Sequence, residues 1–155
     1  MSTAKSHSIS VLAHNIRSLW NVGSFFRTAD CFGLEKLYLT GYTAIPPRRE
    51  ISKTALGAEG WIPWEHVEDP KEVLRKLRTA GYRIVGLELT ADAVELKAYT
   101  PSQKTCLIVG HEVLGVSKEL LSLCDDIVQI PLHGRKESLN VSVALGIALY
   151  GLRYR

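Results

Sequence analysis

Apolar residues along this chain fall into short continuous runs, and longer segments of helical spacing separate them. The runs Ser8–Leu12, Lys36–Leu39, Tyr82–Leu87, Thr105–Val109 and Asp126–Ile130 predict strands. Several, RIVGL and LIVG among them, are apolar without alternation, as expected of strands covered on both faces in a parallel sheet. Between them the spacing predicts helices over Asn21–Phe32, with Asn21 as cap, and over Ser117–Leu123. Another spans Pro70–Ala80, with Asp69 as cap, proline at the first helical position and Gly81 as stop. A last helix runs from about Ser138 to Arg153. Strands alternating with helices predict an α/β fold, a mainly parallel sheet flanked by helices. Pro46-Pro47-Arg48-Arg49 is expected to be a loop. With no internal repeat, low-complexity tract or linker, residues 1–155 are expected to form one domain.

The last helix poses a question. Its sequence VSVALGIALYGL is apolar around nearly its whole circumference, yet it follows a polar loop carrying Arg135, Lys136, Glu137, Ser138 and Asn140. Such a helix in a small domain is expected to be buried on more than one side.

Composition narrows the class. With 46% hydrophobic and 23% charged residues the chain is an ordinary globular sequence, and its net charge of +3 permits an anionic partner without requiring one. The N-terminal stretch has no apolar core of signal-peptide length, and nothing approaches a membrane span, so a cytoplasmic location is expected. Cys31, Cys106 and Cys124 are widely spaced and form no C-x-x-C pair; they are expected to be buried filler. His111-Glu112 would need a histidine where Gly115 stands to complete a zinc helix, so no metal is expected.

The usual nucleotide signatures are missing. The first strand runs into HNIRSLWNVGSFFRTAD and not G-x-G-x-x-G, and there is no phosphate-binding G-x-x-x-x-G-K-[ST] loop. Gly57-Ala58-Glu59-Gly60 has the spacing of an RNA backbone clamp, but its glutamate would repel phosphate. Glycines instead follow two strand ends, in Gly110–Gly115 and in Pro131–Gly134. On spacing alone these suit equally a backbone grip on a flat heterocycle and a pair of tight turns.

Three segments together resemble the SpoU/TrmH family of RNA ribose methyltransferases. Asn15-Ile-Arg17, Asn21-Val-Gly23 and Arg27-Thr-Ala-Asp30 with Gly33 are similar to its first motif, GHEVLG at 110–115 to its second, and IPLHGRKESLNVSVA at 130–144 to its third. KTALGAEGWIPWEH at 53–66 is similar to the linking region of tRNA-modifying members. His111 and Leu132 depart from the residues most common at their positions.

The resemblance implies a deep trefoil knot in the C-terminal part of the fold. It also implies S-adenosyl-L-methionine (AdoMet) held by the main chain of Leu87, Gly110, Ile130, Ser138 and Leu139. Carried over by position, the active residues are Asn21, Arg27, Glu112, Ser138 and Asn140. The reaction is attack of a ribose 2′-hydroxyl on the methyl group of a sulfonium, on tRNA first and rRNA second. Arg27 is expected to grip a neighbouring phosphate; Asn21, Ser138 and Asn140 to orient ribose and phosphate; Glu112 to hold the arginine or the loop. The proton acceptor stays open among a phosphate oxygen, water and arginine. Four of the five also have a plain structural reading: helix cap for Asn21 and Ser138, surface partner for Glu112, solvated helix arginine for Arg27. Arg17, Arg48, Arg49 and Lys53 are expected at the RNA, with Trp20 or Trp61 able to stack a base. No extra RNA-binding domain is expected, and a homodimer would cover the last helix and enlarge the RNA platform. A catalytically silent RNA-binding module with the same fold is the alternative.

Overall fold

The chain, in a computed structural model, is described over residues 6–155; the first five residues of the expected 1–155 domain lie outside the described residues. β1 (Ser8–His14) is an interior strand of the sheet, covered on both faces. Ile9, Val11 and Ala13 pack into one buried cluster and Leu12 into another. On one face lie α1 (Leu19–Phe32), α2 (Arg49–Ala55) and α5 (Val141–Arg153), supplying Phe25, Phe26, Ile51, Leu145 and Leu149 to the larger core. On the other lie α3 (Pro70–Thr79) and α4 (Lys118–Ser122), supplying Val73, Leu74, Leu77 and Leu120.

The other strands are β2 (Lys36–Thr40), β3 (Trp64–Val67), β4 (Arg83–Leu87), β5 (Val94–Glu95), β6 (Lys104–Val109) and β7 (Asp126–Gln129). They form one seven-stranded sheet in the order β3-β2-β1-β6-β4-β7-β5. Every pairing among the described strands is parallel, so all carboxyl ends lie along one edge. The expected parallel α/β architecture is therefore present. The ends of β6, β4 and β7 are neighbours on that edge, where parallel α/β sheets bind ligands.

The structure corrects several sequence expectations. α1 begins at Leu19, and its cap is Ser18, whose side chain accepts the Asn21 N–H; Asn21 sits inside the first turn. α5 begins at Val141 with Asn140 as cap, beyond Ser138. Arg48 and Arg49 belong to the cap and first residue of α2, not to a loop. Cys31 is exposed and Cys124 half-buried; only Cys106 is core filler. α2, β3 and the two-residue β5 have no counterpart in the sequence reading. Among the described residues, no helix is long and apolar enough to cross a membrane.

Candidate active site

The site begins in the turn between β1 and α1, where each residue is fastened by a different partner. Asn15 takes a left-handed φ of 54°, and its Oδ1 accepts the Tyr42 N–H at 3.0 Å, joining the loops that follow β1 and β2. The Ile16 N–H donates to Thr43 Oγ1 at 3.0 Å. The Arg17 and Ser18 N–H groups donate to Glu112 at 3.0 and 2.9 Å. A helix start presents unpaired N–H groups and a positive field, so a carboxylate delivered there from a distant loop is well matched.

Glu112 Oε1 also accepts the Asn21 side-chain amide at 3.1 Å. Burial pushes the Glu112 carboxyl up, but N–H donation from Ser18, Arg17 and its own backbone, with the Asn21 amide, outweighs it and holds the carboxyl below its usual range. Glu112 is thus an ionised clamp with both oxygens engaged. Asn21, only 9% exposed, accepts in turn from the Asn140 amide at 3.4 Å. The Asn140 Oδ1 accepts the N–H groups of Ser142 and Val143 and so starts α5. One chain of polar contacts, Asn140 to Asn21 to Glu112, therefore joins the starts of α1 and α5 to the loop after β6.

Beside that chain, a cavity of about 590 Å³ opens between the ends of β4, β6 and β7, within the size range of small-molecule sites. Leu87, Gly110, Ile130, Ser138 and Leu139 all line it, as does Glu112. Its apolar walls include Val109, Leu121 and Leu132, surfaces against which a flat heterocycle can lie. Glu88, Glu112 and Glu137 outnumber the single Lys118 among its charged lining residues, a balance that suits a cationic ligand. The loop Gly110–Val116 closes on itself: the Gly115 N–H donates to the His111 carbonyl at 2.8 Å, and His111 Nδ1 accepts the Val113 and Leu114 N–H groups. A Cβ added at Gly110 would stand 2.4 Å from the Gly115 oxygen, so only glycine lets the two loop ends meet.

Of the five residues expected to act, Asn21, Glu112 and Asn140 are joined by hydrogen bonds, and Ser138 lines the cavity with Glu112. Arg27 stands apart. It is exposed on α1, makes no hydrogen bond or ion pair among the described residues, and lies about 120° around the helix from Asn21. Arg17, Arg48, Arg49 and Lys53 are exposed, the last three on or capping α2. Trp20 and Trp61 are 48% and 61% exposed, and the Trp61 N–H donates to Asp30 at 2.7 Å. Sequence reasoning assigned nothing to Glu88, Lys118 or Glu137, which also line the cavity. A signal for Glu88 exists: one carboxylate set within the apolar run Val85-Gly86-Leu87-Glu88-Leu89.

Residues 8–150 match the SpoU rRNA Methylase family. The chain belongs to that family. It is 35% identical over 141 residues to a tRNA (guanosine(18)-2′-O)-methyltransferase of Aquifex aeolicus, covering 90% of this chain and 66% of the relative. Among solved structures it is similar to the SpoU methyltransferase AviRb from Streptomyces viridochromogenes in complex with AdoMet. There the TM-score is 0.86 at 29% identity, over 94% of this chain and 57% of the other. An AdoMet-bound rRNA methyltransferase from Sinorhizobium meliloti gives a TM-score of 0.88 at 29% identity, over 94% of this chain and 56% of the other. The present SpoU chain therefore spans just under two thirds of the curated relative and somewhat over half of these solved chains. The same arrangement of strand ends that forms the cavity here belongs to a fold whose members are named as methyltransferases.

Proposed function

We propose that this SpoU-family protein transfers a methyl group from AdoMet to a ribose 2′-hydroxyl of tRNA. One observation carries the reading: the Asn140–Asn21–Glu112 chain stands at the rim of the cavity lined by Leu87, Gly110, Ile130, Ser138 and Leu139. A binding pocket and a set of polar side chains thus meet at one place. The names of the Aquifex relative and of the AdoMet complexes support the cofactor and the RNA. The cavity walls also suit AdoMet: apolar surface for its purine, and more carboxylates than cations around a ligand of positive charge.

Bound AdoMet supplies an already activated methyl group, so the protein's own contribution is alignment and charge. Ser138, free of hydrogen bonds among the described residues, and the Asn21 and Asn140 amides orient ribose and phosphate at the cavity mouth. Glu112 fixes the Asn21 amide, which in turn holds Asn140, and leaves the hydroxyl proton to a phosphate oxygen or water, because both its oxygens are engaged. The Arg27 guanidinium binds phosphate and favours the developing alkoxide.

Where Arg27 lies bears on assembly. On α1 it shares an exposed strip with Trp20 and Cys31, at i, i+7 and i+11. On neighbouring α5 and its C-terminal cap, Val143, Ile147, Tyr150 and Tyr154 are 51%, 41%, 62% and 64% exposed and likewise fall on one strip. An apolar strip of that extent supports a homodimer covering α5, with each Arg27 serving the cavity of the other copy. The knotted threading of the C-terminal segment is part of the same proposal, and the separation of β6 from β7 by β4 is compatible with it. The protein would work in the cytoplasm, with its tRNA substrate. Incubation with tritiated AdoMet and bulk tRNA tests the reading. Label is expected in the RNA, and AdoMet binding without any RNA label would instead favour a silent binding module.

A further inference from the structure

Glu88, the residue after β4, touches all three segments that frame the cavity. Its N–H donates to the Val128 carbonyl of β7 at 3.0 Å. Its Oε2 accepts the Val116 N–H at 2.8 Å, across to the end of the loop that follows β6. Its Oε1 accepts the Leu89 N–H of its own loop at 3.0 Å. The carboxylate also fills the space that Gly115 leaves open. At φ +70°, a Cβ on Gly115 would stand 2.1 Å from Glu88 Oε2. Gly115 in turn backs directly onto Gly110, so a shift of Glu88 is transmitted to the residue at the end of β6.

We infer that Glu88 is a positioning residue that sets the spacing between the β4 and β6 lips of the cavity, and that it governs cofactor affinity separately from methyl transfer. This rests on the proposed AdoMet-dependent reaction. Two N–H groups converge on the two oxygens of one side chain, which only a carboxylate satisfies fully. Glutamine would turn an amide donor toward one of the two N–H groups, and alanine would leave both without their acceptor. Because Glu88 accepts main-chain donors and belongs to none of the contacts around Asn21 and Asn140, its loss should loosen the lips and spare the transfer geometry.

The test compares wild type with Glu88→Gln and Glu88→Ala, all three checked for a folded state by near-ultraviolet circular dichroism. Amide hydrogen exchange of the protein without cofactor is followed at Val116 and Leu89. AdoMet affinity is measured by calorimetry, and kcat at saturating AdoMet with tRNA. Glu88→Ala is expected to speed exchange at Val116 and Leu89 and to raise the AdoMet Kd and KM roughly tenfold. Its kcat at saturation should stay within about twofold, and Glu88→Gln should fall between the two proteins. Unchanged exchange at Val116, an unchanged Kd in the alanine variant, or a lost kcat at unchanged KM would each overturn the inference. A wild type that bound no AdoMet would overturn the functional reading instead, and the exchange measurement would still decide whether Glu88 fastens the loop.

Discussion

Glu112 Oε1 accepts the Ser18 N–H at 2.9 Å, joining residues 94 positions apart. With the Arg17 N–H on its other oxygen, it makes the loop after β6 and the start of α1 one rigid unit. Replacing Glu112 by alanine leaves these N–H groups and the Asn21 amide without their acceptor. A loss of about 2 kcal/mol in unfolding free energy is expected, with glutamine costing less because it keeps one acceptor oxygen. Urea denaturation of the three proteins checks this. Equal stabilities would show that water replaces the carboxylate at no cost.

The same carboxylate gives stability a pH dependence of definite sign. The Glu112 carboxyl is held below its usual range in the folded protein, so the unfolded chain takes up the proton first as pH falls. Its contribution is present above the ordinary carboxylate range and is lost as pH falls through the folded value. Asp126 acts in the same direction through its hydrogen bonds with Arg83 and Tyr99, despite partial burial. Asp125 does so because the Ile84 N–H and Arg78 outweigh the effect of burial. Denaturation of wild type and Glu112→Gln at about pH 7 and about pH 4 should show the gap between them narrowing at the lower pH. A gap that widened on acidification would reverse the assignment.

Arg27 supplies a test of shared active sites. If each arginine serves the other copy's cavity, Arg27→Ala and Ser138→Ala are each inactive alone. Mixing them after reversible dissociation, however, rebuilds one intact site in every mixed dimer. Random mixing in equal amounts should then restore about a quarter of wild-type methyl transfer, from half the dimers carrying one working site each. Light scattering on the same samples should report two chains per particle. No recovery from verified mixed dimers would place Arg27 at its own chain's cavity.

What the sequence made legible follows from how local each feature is. β1, β4 and β6 are largely buried apolar runs, β7 carries the apolar pair Ile127-Val128 at its centre, and α3 carries its cap at Asp69 and proline at its start, so neighbouring residues alone disclose them. α2 has seven residues and only Ile51 and Ala55 buried, too few to print a helical period. β3 is a four-residue edge strand with no fully buried side chain, and β5 has only two residues. The cap of α1 is misplaced by three positions because Ser18 and Asn21 are both good capping residues. Only its long-range bonds with Glu112 and Asn140 show that the Asn21 side chain is otherwise engaged. Motif resemblance named Leu87, Gly110, Ile130, Ser138 and Leu139, which the fold brings to one cavity. It did not disclose Glu88, whose partner Val116 is 28 residues away, nor that Arg27 faces away from Asn21.

The central claim is transfer to a ribose hydroxyl at the cavity framed by β4, β6 and β7, and the most direct measurement is nucleoside analysis of tRNA after incubation with AdoMet. Digested tRNA analysed by mass spectrometry should contain a new 2′-O-methylnucleoside with wild type, and none with Ser138→Ala at the same AdoMet occupancy. Methyl groups found only on bases, or a 2′-O-methyl yield unchanged by Ser138→Ala, would contradict the account.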